Sequence, residues 1–179
     1  MKNFKLKFGA LSLSAMMMVA VSCSDEFLEV PPTGLLAEAQ LSSLAGIEAS
    51  LIAAYSQVNG RGNRLGSPSN WVWGSIRGGE ANKGTDPGDF TTINPIQRFE
   101  NDAASGEMGS KWNVAYEGIA RANNVLRLLQ NPGPDVTDAD AVRLTAQARF
   151  LRGHFYFELK RLYGDTPYVD ENIDYGSGL

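Results

Sequence analysis

The sequence predicts a mainly α fold, and three observations carry that expectation. Trp112, Tyr116, Ile119, Asn123, Leu126 and Leu129 recur at spacings of three and four for five turns. A second run, from Thr137 to Gly164, repeats the pattern with two apolar seams. Between them lies "NPGP" at 131–134, which denies backbone donors and straightens the chain. The two runs therefore read as antiparallel helices joined by a short turn.

Each element follows in order. "MKNFKLK" carries Lys2, Lys5 and Lys7 with no acid, and "FGALSLSAMMMVAV" adds 14 uncharged, mostly apolar residues. Spanning a bilayer takes about 20 apolar residues, so residues 1–22 read as a secretory leader. Ala20, Val21 and Ser22 stand directly before Cys23, the only cysteine in 179 residues. A disulfide within the chain is excluded, and the thiol reads as a lipidation site. Two or more acyl chains there would hold a protein stably at a membrane, where one holds it marginally. Residues 23–40 form the tether: "SDE" supplies acids beside the anchor, and Pro31 and Pro32 make an extended spacer.

From Leu41 to Val58, Leu41, Leu44, Ile47, Leu51, Ala54 and Tyr55 give a helix with one apolar face. "NGRGNRLGSPSN" breaks it with three glycines and a proline. A long irregular region follows, up to the helix beginning at Trp112. The next helix starts at Thr137 or Asp138, where Thr137 and Asp140 imitate a capping box with a short acid. Ala148, Leu151, Phe155, Leu159 and Leu162 form its main seam and Phe150, His154 and Phe157 a second. Two apolar faces imply a helix sandwiched between neighbours. Gly164 should close it as a left-handed cap, with Pro167 preventing resumption. "TPYVDENIDYGSGL" then begins an extended segment for which the sequence offers no partner element. Such a pair is tetratricopeptide-like, a unit that stacks on neighbours.

Charge narrows the partners. The leader holds three lysines and no acid, so its removal takes the formal charge from −4 to −7 over the remaining 157 residues. With no basic patch to displace counterions, nucleic acid is disfavoured as a partner.

Candidate chemistry concentrates in "SNWVWGSIRGGEANKGTDPGDF". Trp71 and Trp73 are two apart, so in an extended segment both rings face one side. They could stack on sugar rings while Asn70 or Arg77 bonds hydroxyls. The competing use, and the commoner one for a large aromatic, is pinning the loop onto the helices. "GEANKGT" has the glycine spacing of a phosphate loop, but its lysine precedes the second glycine and no strand leads in. Glu80, Asp86 and Asp89 read as loop acids bonded to their own backbone rather than as a glycosidase pair. His154, the sole histidine, lacks companions at metal spacing and reads as a packed residue. "DVTDAD" lacks the glycine and final glutamate of a calcium loop and suits a helix start. No catalytic set, metal site or cofactor is expected.

Four stretches carry a family resemblance: "CSDEFLEVPPTG", "SIRGGEANKGTDPGDF", "KWNVAYEGIARANNVLRLL" and "AQARFLRGHFYFELKRLYGDTPYVDE". In that order they resemble the N-terminal part of a SusD/RagB-type nutrient-binding lipoprotein. The Trp-x-x-x-Tyr-x-x-Ile-x-x-Ala-Asn pattern from Trp112 and the pattern running from Ala-Arg-Phe-Leu-Arg at Ala148 through Leu-Tyr-Gly-Asp-x-Pro at Leu162 are the most specific. The resemblance implies tetratricopeptide-like helical pairs with long irregular loops over residues 41–179, as an incomplete N-terminal region of a longer family member. It implies a lipid-anchored, surface-exposed outer-membrane protein that captures oligosaccharide or polysaccharide and passes it to a SusC-like TonB-dependent transporter. The alternative is a helical adaptor of the outer membrane that binds no sugar. A hydrolase ranks last, for want of a nucleophile, base and orienting group.

Overall fold

The computed structural model describes residues 38–58, 70–84 and 86–173. The leader, Cys23 and nearly all of the tether lie outside those residues. Within them the chain is mainly helical, with no strand. Three helices matter: α1 (Leu44–Tyr55), α2 (Gly106–Leu128) and α3 (Asp138–Tyr163). No helix among the described residues is long and apolar enough to cross a membrane.

Helices α2 and α3 run antiparallel, as successive contacts show: Lys111 meets Glu158, Gly118 meets Phe155, and Asn123 meets Arg152. Gly118 sets the closest approach, because a Cβ there would lie 2.5 Å from the Phe155 ring. Helix α1 runs parallel to α3, with Glu48 paired to Arg143 and Tyr55 bonded to Gln147. The shared core is Ile47, Leu51 and Ala54 of α1, Ala115, Ile119, Ala122, Val125 and Leu126 of α2, and Leu144, Ala148, Leu151, Phe155 and Leu159 of α3. The three-to-four spacings of the sequence thus converge on one apolar centre.

The ends of α1 are satisfied by distant residues. Ser43 Oγ accepts from Gly46 N at its N-cap, and Asp135 Oδ2, from the α2–α3 connection, accepts from Leu44 N. At the other end Ala53 O, a carbonyl of the last turn, accepts from Ser56 Oγ at the C-cap and from Arg121 of α2, each at 2.7 Å. Thr137 caps α3 as expected, accepting from Asp140 N. The reciprocal half of a capping box is replaced by Thr137 Oγ1 donating to Asp140 Oδ2 at 2.6 Å, since the acid is one methylene short. That bond, with the Arg143 guanidinium, holds the Asp140 carboxyl below its ordinary value.

Three expectations are corrected. Phe150 and Phe157 are 69% and 60% exposed, so the second seam of α3 is uncovered among the described residues and α3 is not sandwiched there. Gly164 does take positive φ, but at φ 78°, ψ −128° it lies outside the left-handed helical region. The segment after it has a partner: residues 165–173 run back along α2 and α3. Tyr116 Oη donates to Pro167 O, and Asn123 Nδ2 donates to Val169 O. Tyr156 Oη donates to Val169 O and accepts from Val169 N. Helix side chains thus serve backbone groups that a strand would otherwise satisfy.

Helix α2 begins at Gly106, six residues before Trp112. Its first turns pack on a second cluster rather than on the main core: Val72, Trp73, Ile76, Ile93 and Ile96, bordered by Met108 of α2 and Leu162 of α3.

Candidate functional site

Two of the candidate sugar-contact residues, Trp71 and Trp73, sit on a six-residue π-helical turn, Trp71–Ile76, and the other two, Asn70 and Arg77, cap its ends. The sequence suggested an extended segment with both indoles on one side; the turn instead sends them in different directions. Trp71 is 43% exposed, whereas Trp73 is 6% exposed and packs in the second cluster. Two residues apart on a helical turn lie near opposite faces, while two apart on a strand share one. Val72, Trp73 and Ile76 supply the buried face, and burying them winds the segment.

Asn70 is held by Lys111, whose Nζ donates to Asn70 Oδ1 at 3.3 Å. Lys111 also pairs with Glu158 at 3.1 Å, both side chains 7% exposed, and Glu158 accepts from Arg161. This buried network ties the start of the loop to both long helices. Its charges are stabilised by mutual pairing, because either one alone in the interior would be costly.

Arg77 reaches outward to a different part of the loop. Its Nη1 donates to Asn101 Oδ1 at 2.7 Å, and its guanidinium lies over the Phe99 ring at 5.1 Å. Phe99 is 67% exposed and holds φ at 59°, a left-handed conformation rare for an aromatic residue. Phe90, which caps the 3₁₀ turn Thr91–Ile93, has φ 40°. Two phenylalanines in left-handed backbone, one of them exposed, mark this segment as held by its surroundings rather than by local preference. In "IQRFEN" no period marks Phe99 or Asn101, and an aromatic flanked by charges in a loop is the one signal.

The acidic loop behaves as its composition suggests. Asp86 Oδ1 accepts from Gly88 N, Asn82 Oδ1 accepts from Gly84 N, and Lys83 Nζ donates to the backbone carbonyls of Asp86 and Asp89. A lysine closing its own loop is turned away from a phosphate-binding role. Glu107, at the start of α2, accepts from Thr92 at 2.6 Å, while its Oε2 is buried without a hydrogen-bond partner among the described residues. His154 is partly buried, edge-on to Phe155 at 5.3 Å. Among the described residues no group of three or more His, Cys, Asp or Glu side chains is placed to hold a metal ion. The arrangement offers an exposed indole, Trp71, and a guanidinium–phenyl–amide cluster, Arg77, Phe99 and Asn101. Such surfaces suit stacking and hydrogen bonding to polyhydroxylated rings.

Residues 82–175 match a SusD-like family model described as starch-binding, associating with the outer membrane. A SusD-like protein P2 from Formosa agariphila is 30% identical over 178 residues, covering 95% of this chain and 32% of that protein. A SusD-like protein from Bacteroides ovatus is 22% identical over 182 residues, covering 93% of this chain and 29% of that protein. The chain thus spans about a third of the length of the curated relatives it matches. No solved structure matches it.

Proposed function

This chain belongs to the SusD-like family, and on that premise we propose that it serves a cell-surface lipoprotein that captures oligosaccharide or polysaccharide for uptake. Cys23 carries the lipid, residues 23–40 form the tether, and a SusC-like TonB-dependent transporter receives the glycan. The observation that carries this reading is the family match over residues 82–175, whose description joins starch binding to the outer membrane. Trp71 and Phe99, exposed on the irregular region, with the half-buried Arg77–Asn101 pair beside Phe99, support it as sugar-contact residues. Trp73 and Asn70 serve the same surface indirectly, by fixing the turn on which Trp71 stands.

The physical logic is confinement. A lipid tether keeps binder and transporter in one plane and raises their effective concentration without any added contact. Modest affinity for sugar then suffices. The three helices act as the rigid support and the loops as the variable contact surface.

The test combines two measurements. Intact mass of the native protein, isolated from its own membranes and traced by the "AYEGIARANNVLRLL" peptide, should include lipid on Cys23. Titration of that protein with maltooligosaccharides and other neutral glycans should show saturable binding that weakens about tenfold in Trp71→Ala, the scale expected when one stacking ring is removed. Transporter co-purification with every glycan negative would instead establish the adaptor reading.

A further inference from the structure

We propose that a second glycan site lies in the groove between the outer face of α3 and the turn that follows it, and that it takes an anionic sugar residue, a uronate or a sulfate ester. The inference rests on the glycan-binding reading and adds a place and a ligand charge. The groove is a cavity of about 650 Å³ lined by Arg149, Arg152, Gly153, Tyr156, Lys160 and Tyr168, away from the Trp71 turn. That volume falls in the range of small-ligand pockets, about 300–1,000 Å³.

Three features make it a built surface. Tyr168 is 61% exposed, yet its ring is stacked on Tyr156 at 5.0 Å with 29° between planes. Tyr156 is itself fixed, because its hydroxyl both donates to and accepts from the backbone of Val169. An exposed aromatic held this firmly loses little freedom when a sugar ring lies against it. Gly153 sits in mid-helix on the lining, and a Cβ there would meet nothing within 4 Å. Packing therefore does not require glycine at this exposed helical position, where alanine favours the helix more. What glycine does is leave the wall of the groove open.

Charge supplies the specificity. The lining holds Arg149, Arg152 and Lys160 against one acid, Asp165. Arg152 is locked by Glu171 and Asn123, and Lys160 pairs with Asp165. Burial works against ionisation of Glu171, but the Arg152 guanidinium outweighs it and holds the carboxyl below its ordinary value. Arg149 is exposed and has no bonded partner among the described residues. Its planar fork is suited to a bidentate bond with a carboxylate or sulfate on a ring stacked over Tyr168.

The full native protein should be titrated with maltohexaose, hexagalacturonate and a sulfated carrageenan hexasaccharide at low and high salt. Arg149→Gln alters an exposed, unbonded side chain and leaves the fold intact. It should weaken an acidic ligand about tenfold, the scale of one charge-assisted bond, and leave maltohexaose unchanged. Gly153→Leu should block the acidic ligand, and salt should weaken it further. Whether hexagalacturonate or the sulfated hexasaccharide responds assigns the anion to carboxylate or sulfate. Acidic binding that is unchanged in both variants, or sensitive to Trp71→Ala alone, overturns the groove while sparing the glycan-binding reading. Absence of binding to all three glycans overturns both.

Discussion

The three-helix region and the irregular region between α1 and α2 are held together in different ways. In the first, thirteen buried residues from three helices share one core, so each apolar side chain is supported from several directions. In the second, five buried residues gather around a π-helical turn and a 3₁₀ turn, with Met108 and Leu162 at the margin. The rest is polar: Asn70 held by the buried Lys111–Glu158 pair of α2 and α3, a lysine closing its own loop, and a guanidinium lying over a ring. Long-range apolar seams make a support that does not depend on any one side chain. A small cluster fixed by a few polar bonds instead leaves aromatic rings exposed, and that is the region from which sugar contacts are proposed.

The main core is most exposed to damage at Phe155, which is 3% accessible and lies against Gly118. Phe155→Ala should cost about 3–5 kcal/mol of global stability, measured by chemical denaturation, and both regions should unfold more readily. Trp73→Ala removes a ring of similar bulk from the smaller cluster. Its effect should be confined: amide exchange should accelerate across residues 72–97 and the first turn of α2 while protection in the rest of α2 and in α3 holds, because local opening draws on the small cluster and the helix end that borders it. Equal loss of protection in α2 and α3 would show that the two regions fold as one unit.

Smaller effects sharpen the picture. Asn123 bridges Val169 O and Arg152, so Asn123→Ala leaves two polar groups short of a partner and should cost about 1–3 kcal/mol. The loss should appear as faster exchange over residues 165–173. Phe99→Gly relieves a left-handed conformation worth about 1–2 kcal/mol, offset in part by the freedom that glycine adds to the unfolded chain. Thermal melting should rise slightly or hold, while binding of neutral glycan falls.

The smallest expected effect is on pH. Glu171 has a depressed carboxyl pKa, so its pairing with Arg152 contributes fully above the ordinary value of 4.5 and is lost as pH falls through the lower folded value. Acidification below pH 4.5 should loosen the 165–173 segment, seen in tyrosine near-ultraviolet dichroism, and Glu171→Gln should remove that part of the response. Tyr163 lies at the opposite limit: burial pushes its phenol up to about 12, so it stays protonated across the working range and keeps donating to Met108 O.

Local sequence alone specifies the three helices, the Thr137 cap and the seams that meet in the main core. It does so because helical burial leaves a period of three to four residues that neighbouring residues alone can display. It also carries the family, through the patterns beginning at Trp112 and Ala148. Tertiary structure decided what has no period. Trp71 and Trp73 part company because burying Val72, Trp73 and Ile76 winds the segment into a turn. Phe99 meets Arg77 across a separation of 22 residues, and Tyr168 stacks on Tyr156 because Val169 is bonded at both backbone groups by one phenol. Each of these depends on chain segments brought together only after the helices pack, so no local pattern could announce them.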